Sequence, residues 1–314
     1  MFNRRTVLGA AAFAAVALAG GLQAAVAADW KTQYPELTFA VIPNENASTT
    51  LDRYTPLADY LGKELGVPVK VQVANDYAAV IEAQRAGNAQ IAFYGPASYA
   101  RAVITGVATE PVIVQRHETG LTGYYSVIYV AKDSPYQKIE DLKGKKLALV
   151  DPNSTSGNQA PRFFLHEAGV DVDTFFGQTI FAGSHDNAAL ALAQGTVDAA
   201  ANSWNSDTDS NVTRMVTKHL LKDASGKELT YQDFRIIFKS PLLFEGPFAV
   251  LSSLPQDLKD AIKTAFLEMP KKDKVAFDNL SDGHDIEFVA TQASDYDAIV
   301  GMVKFNDAQH KSGS

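Results

Sequence analysis

Short apolar runs alternate along this chain with segments whose apolar positions recur every three or four residues. Leu37 to Ile42 reads as a first strand. Thr55 then reads as an N-cap with Pro56 at the first helical position, and Leu57, Leu61 and Leu65 carry a buried stripe to Gly66. Val69 to Val73 alternates as a strand, and Asp76 caps a predicted helix from Tyr77 to Ala86 that Gly87 ends. Ile91-Ala92-Phe93 is a short buried strand stopping at Tyr94-Gly95-Pro96, with a helix through Ala100 to Gly106 beyond it. Strands alternating with helices at this spacing predict an α/β sheet with parallel strands.

Tyr124 to Ala131 is a long strand-like run stopped by Asp133-Ser134-Pro135. The alternation then restarts: Lys146 to Val150, a polar loop, a helix, Thr179 to Phe181, a helix from Asn187 to Gln194, and Val197 to Ala201. Phe234 to Phe238 and Phe248 to Leu251 are further strand runs, and the chain from Pro255 onward reads as mostly helical, through Leu258 to Met269 and Tyr296 to Val303. The helix, glycine and short strand of residues 81–94 have a counterpart in residues 190–201, as two similar lobes would give. A return to the first lobe needs two crossings, for which 124–131 and 234–250 are the candidates.

The polar loop is Asp151-Pro152-Asn153-Ser154-Thr155-Ser156-Gly157, at a strand-to-helix junction. The first N–H groups of a helix lack intrahelical partners, and the dipole there favours negative charge. Ser154, Thr155 and Ser156 add hydroxyl donors, and Gly157 permits close backbone approach. The same residues also fit an ordinary Ser/Thr helix cap. His185, in Gly183-Ser184-His185-Asp186-Asn187, stands at a second helix start in the same half; Tyr94 ends a strand in the other. Ligands in open α/β sheets sit at the carboxyl ends of strands, where Tyr94, the hydroxyl loop and Trp204 all fall.

Composition narrows the chemistry. None of the 314 residues is cysteine, which excludes disulfides, thiolate metal sites, a Cys nucleophile and a lipidated cysteine. Arg4 and Arg5 precede an Ala/Val/Leu-rich run that ends in Ala25-Val26-Ala27, so residues 1–28 read as an export signal, twin-arginine or general secretory. Its removal takes the formal charge from −8 to −10, a poor balance for nucleic acid or anionic lipid. The mature chain of about 285 residues favours two domains. Ser154, His185 and Asp207 stand in an order a hydrolase triad can have, but no Gly-x-Ser-x-Gly elbow accompanies them. The six histidines show no zinc-type spacing, and no nucleotide fingerprint is present.

Several stretches resemble the periplasmic binding proteins of phosphonate/phosphate/phosphite ABC transporters. They are Asp76-Tyr77-Ala78, Ile91 to Gly95, Gly123-Tyr124-Tyr125-Ser126-Val127, Asp151 to Gly157, Gly183 to Ala188, and Lys239-Ser240-Pro241-Leu242. The resemblance implies an α/β, two-lobed type II binding-protein fold, each lobe a mixed sheet flanked by helices, joined by a two-segment hinge. It places lobe 1 at 29–124 plus 245–314 and lobe 2 at 125–244. It implies a small phosphorus oxyanion held by Ser154, Thr155, Ser156, His185 and Tyr94 without a buried arginine. Asn205, Asp207 and Glu245 then stand near the positions where aminoalkylphosphonate binders hold an ammonium, with Glu45 a further cleft acid and Tyr125 part of the site. No catalysis, cofactor or metal is expected, and the implied partners are the anionic ligand and an inner-membrane permease, with the binding protein a monomer in the periplasm.

Overall fold

A computed structural model describes residues 30–312; the expected export signal at 1–28 lies outside the described residues. The strands β1 (Leu37–Val41), β2 (Val69–Val73), β3 (Ile91–Phe93) and β4 (Thr109–His117) begin a first sheet. A second is built wholly from β5 (Gly123–Ala131), β6 (Lys146–Leu149), β7 (Gln178–Phe181), β8 (Ala199–Trp204), β9 (Phe234–Lys239) and β10 (Leu243–Phe244). β11 (Phe248–Leu251) and β12 (Asp285–Ala290) return to the first. The strand orders are β12-β4-β11-β3-β1-β2 and β10-β5-β8-β6-β7, with β9 also paired to β5. The chain passes between the sheets at 118–122, just ahead of the extended run 124–131, and at 245–247, inside the run 234–250.

Both sheets are mixed. β1 runs parallel to β2 and β3, and β6 runs parallel to β7 and β8. β11 is antiparallel to both its neighbours, β3 and β4, and β5 is antiparallel to β8. Burial on both faces accounts for the unbroken apolar runs: every residue of β3 and β11 is buried. Three strands escape the sequence pattern, among them the two-residue β10. Pro111 lies inside β4, where proline argues against a strand, and β12 presents Ile286 to solvent between acidic neighbours.

The helix after β1 starts earlier than expected. It spans Ala47–Leu65 with Asn46 as the cap, its side chain accepting from Thr49 N, so Pro56 lies inside it. Proline at that position supplies no N–H to the carbonyl four residues back. Asn279 takes up the orphaned acceptor: its Nδ2 donates to Asp52 O at 2.8 Å and to Arg53 O at 3.0 Å. The helix therefore continues through the proline and carries Arg53 to the space between the sheets.

Buried aromatics fill the first half, with Phe266 4.8 Å from Phe248 and 5.3 Å from Phe288 between ring centroids. The C-terminal helix, Asp297–Ser312, straps the two halves together. Phe305 meets Phe163 edge-on at 5.2 Å, and Asn306 Nδ2 donates to Gln159 O at 2.9 Å and to Gln159 Oε1 at 2.7 Å. On the other side Arg101 clasps Asp307 at 2.6 and 2.7 Å. None of the helices among the described residues is long and apolar enough to cross a membrane.

Candidate functional site

Where β3 and β6 end, the chain turns toward the gap between the sheets, and the walls there enclose a cavity of about 110 Å³. The hydroxyl loop forms one wall. Ser154 caps a π-helical turn, Thr155–Gln159, that runs into the helix Ala160–Glu167. Its Oγ accepts from Gly157 N at 3.1 Å, so the hydroxyl proton stays free to donate. Glycine at 157 is a steric demand, because a Cβ there would lie 2.3 Å from Val150 Cβ. Thr155 Oγ1 accepts from Ala97 N at 2.8 Å, the first turn of the helix Pro96–Ile104 in the other half. Ser126 Oγ ties the loop down by donating to Ser156 O at 2.7 Å.

Four helix N-termini thus face one small space: those of Tyr77–Arg85, Pro96–Ile104, the segment 155–167 and His185–Ala193. Their partial positive charges favour an anion there. His185 is buried, and burial pushes its imidazole down to about 4, so it is neutral at pH 7. Its Nδ1 has no hydrogen-bond partner, and neither has the buried Asn44 Oδ1; both residues line the cavity. Buried polar atoms left unpaired are costly, and these two have hydrogen-bonding capacity to spare at the cavity wall.

The phenols come from positions other than those expected. Tyr94 lines the cavity, but its hydroxyl points away and donates to Gln84 Oε1 at 3.1 Å in its own half. Tyr77 and Tyr124 supply phenols instead, the first against Ser154 and the second against Thr155 and Ser156. Burial raises both well above the ordinary tyrosine range, so they remain neutral donors. Tyr125, one residue on, faces the other side of its strand. Lys239 Nζ sits 3.8 Å from its ring centroid and 3.8 Å from that of Trp204, a cation held between two aromatic faces.

Arginines were not expected, yet Arg53 and Arg214 both line the cavity. Arg53 is only 5% exposed and grips Glu45 through Nε at 3.0 Å and Nη2 at 2.8 Å. Burial opposes the Glu45 charge, and the guanidinium overcomes it, leaving the carboxyl below its usual range. Glu45 is therefore no free cleft acid; it lies behind the wall and orients Arg53. Arg214 is paired to Asp209 at 2.7 Å.

The remaining acids divide. Asp207 accepts from the Tyr231 hydroxyl at 2.8 Å on the surface, outside the cavity, and so cannot orient His185 in a relay with Ser154. Asn205 lines the cavity, with Nδ2 donating to Asp209 Oδ2 at 2.6 Å. Glu245 also lines it, beside three residues the sequence did not single out: Gln115, His117 and Asp285. His117 stands between the two carboxylates, Nε2 2.9 Å from Glu245 and Nδ1 2.6 Å from Asp285. Burial works against its charge, but the flanking Asp285 and Glu245 prevail and raise it to about 10, so His117 is an imidazolium at neutral pH.

The two halves touch closely around this space. Asp186, from the helix His185–Ala193, accepts at Oδ2 from Asn46 N at 2.9 Å and Asn46 Nδ2 at 3.0 Å. The adjacent His185 N donates to Asn44 O at 3.0 Å. Gly246, on the second crossing, passes so near β3 that a Cβ would lie 2.2 Å from Tyr94 O. No cluster of His, Cys, Asp and Glu among the described residues could hold a metal ion.

Comparison with known proteins agrees with this architecture. Residues 39–296 match the family of ABC transporter, phosphonate, periplasmic substrate-binding proteins. The chain is 35% identical over 245 residues to the phosphate-import protein PhnD of Mycolicibacterium smegmatis, covering 75% of this chain and 72% of that one. It is 32% identical over 244 residues to the phosphonates-binding periplasmic protein of Escherichia coli, covering 76% and 68%. Among solved structures it is similar to a binding-protein component of an ABC phosphonate transporter from Pseudomonas aeruginosa, with a TM-score of 0.76 and 24% identity over 89% of each chain. It is also similar to a Prochlorococcus marinus protein in complex with methylphosphonate, with a TM-score of 0.71 and 20% identity over 87% of this chain and 98% of that one.

Proposed function

The chain belongs to the periplasmic substrate-binding proteins of phosphonate ABC transporters, a non-enzymatic class, and on that premise we propose that it captures a small phosphorus oxyanion between its two halves. The single observation carrying the proposal is the cavity of about 110 Å³ where Ser154, Thr155, Ser156 and His185 meet. That volume suits a tetrahedral oxyanion with a short substituent or none, since a single water already needs about 10–15 Å³ measured in this way. The hydroxyls of Ser154, Thr155, Ser156, Tyr77 and Tyr124 act as donors to the anionic oxygens. Arg53, Arg214 and the helix N-termini supply positive potential. Asn44 Oδ1 is an acceptor for the P–OH of a singly protonated ligand.

Capture is by closure. Residues 30–117 with 248–312 form one lobe and 123–244 the other, hinged at 118–122 and 245–247, and the contacts across the seam belong to the closed form. The closed protein docks on an inner-membrane permease and releases its cargo there. Removal of an export signal, an unlipidated chain and a monomeric working form complete the proposal.

Calorimetric titration with phosphate, phosphite and methylphosphonate tests it. Ser154→Ala and Thr155→Val each remove one hydrogen bond to a charged ligand, worth about 1.5–3 kcal/mol, or roughly ten- to a hundredfold in affinity. Wild-type protein that saturates with none of the three ligands, or two variants that bind like wild type, would end the assignment.

A further inference from the structure

The charged residues of the cavity wall are unevenly available. Arg53 and Arg214 carry their partners, Glu45 and Asp209, on the side away from the cavity lining. Glu245 and Asp285 line the cavity themselves, and a carboxylate there is what a ligand's cationic group would seek.

Three of their four oxygens accept hydrogen bonds, and the fourth, Asp285 Oδ1, is ion-paired. Glu245 Oε2 is 2.9 Å from His117 Nε2, and Glu245 Oε1 accepts from Gly246 N at 2.9 Å. Asp285 Oδ1 is 2.6 Å from His117 Nδ1, and its Oδ2 accepts from Gln115 Nε2. Backbone geometry holds each acid in place: Asp285 N donates to Ser281 Oγ at 2.9 Å, and the Tyr296 hydroxyl donates to Glu245 O at 3.0 Å. His117 is 7% exposed and wedged between them.

We propose that His117 is a specificity-determining residue: by engaging Glu245 and Asp285 together, it withdraws the cavity's acids and reserves the site for oxyanions without a cationic substituent. The inference rests on the phosphorus-oxyanion reading of the site and deepens it. An ammonium brought into this cavity would shed water and find both carboxylates already engaged, by His117, Gly246 N and Gln115, with most of their charge answered. Phosphate, phosphite and alkylphosphonates meet no such cost. The acids are nonetheless present, so loss of the histidine alone would re-expose them.

The test is calorimetry on the mature chain with methylphosphonate and 2-aminoethylphosphonate, read as the ratio of the two affinities within each variant. A ratio cancels any partial loss of folded protein, which a melting curve checks separately. Wild type is expected to favour methylphosphonate on the order of tenfold or more. His117→Gln, which keeps a donor but no charge, should move the ratio toward the aminophosphonate by about tenfold, and His117→Gln with Glu245→Gln should move it back. Wild type that prefers the aminophosphonate, or a ratio unmoved by His117→Gln, overturns the inference while leaving the oxyanion site standing. Absence of binding to both compounds and to phosphate in wild type instead removes the underlying reading, and this inference with it.

Discussion

Asp186 offers the sharpest test of closure, because its carboxylate joins the two halves without lining the cavity. Oδ2 accepts two hydrogen bonds from Asn46 across the seam, and Oδ1 accepts one from Asn211 Nδ2 at 2.7 Å on its own side. Hydrogen bonds to a charged group contribute about 1.5–3 kcal/mol each, and two sharing one oxygen fall short of additive, so the seam loses about 2–4 kcal/mol in Asp186→Ala. The open form makes neither bond, so the whole loss weighs against closure. The apparent affinity falls with the closed fraction, by roughly thirty- to several hundredfold. Asn211→Ala breaks only the bond within one half and should cost stability while changing affinity by less than about threefold. The assay is calorimetric titration with methylphosphonate, paired with small-angle scattering of the liganded protein, in which Asp186→Ala should need far more ligand to contract. An affinity within about threefold of wild type for Asp186→Ala, or an equal loss in Asn211→Ala, would refute the reasoning.

Four further outcomes are expected. His185 binds its proton less readily folded, at about 4, than at its ordinary 6.5, so its contribution is intact above 6.5 and is lost as pH falls through 4. That amounts to about 3 kcal/mol, and denaturant melts from pH 7 to pH 4 should show His185→Gln losing correspondingly less than wild type. For His117 the sign reverses: raised to about 10 from 6.5, it stabilises fully below 6.5 and is lost as pH rises through 10. The same melts run to pH 10 should therefore show a decline in wild type that His117→Gln lacks. Gly157→Ala forces its Cβ onto Val150 and should lower thermal stability by about 1–3 kcal/mol and weaken ligand binding with it, as scanning calorimetry and titration would show. Phe266→Ala should cost about 3–5 kcal/mol in chemical denaturation, with binding by the folded fraction unchanged.

The hydroxyl loop and His185 were legible in the sequence because each is a local signal, a donor-rich residue at a strand-to-helix junction. Parity decides the tyrosines. Tyr124 and Tyr125 are adjacent in β5 and point to opposite faces, and the sequence alone does not say which face meets the cavity. Tyr77 was in view as the residue after the Asp76 cap, yet nothing nearby tells that the start of its helix meets Ser154, over seventy positions on. The start of the helix Ala47–Leu65 was placed too late because Pro56 reads as a first helical residue. With it went Arg53, the partner that takes Glu45 out of play. His117, Glu245 and Asp285 come from three distant strands or crossings, and only the sheet order β12-β4-β11 brings them together. Mixed sheets were implied by the family resemblance, whereas the alternation by itself argued for parallel strands; the difference is β5 in the second sheet and, in the first, β11, whose antiparallel insertion no local pattern announces.

That insertion bears on how the protein is made. The second sheet draws all its strands from residues 123–244, so it can be completed from one continuous stretch of chain. The first sheet cannot. β3 and β4 are formed early, but the strand that lies between them, β11, arrives some 130 residues after β4. Until it does, two apolar strands present open edges, the kind of surface that recruits other chains. Long-range pairing of this sort is slow, so the joining of β11 is the expected late step of folding. Glu245 and Gly246 lead directly into that strand, so the same step that closes the gap in the sheet also brings these two residues to the binding cavity.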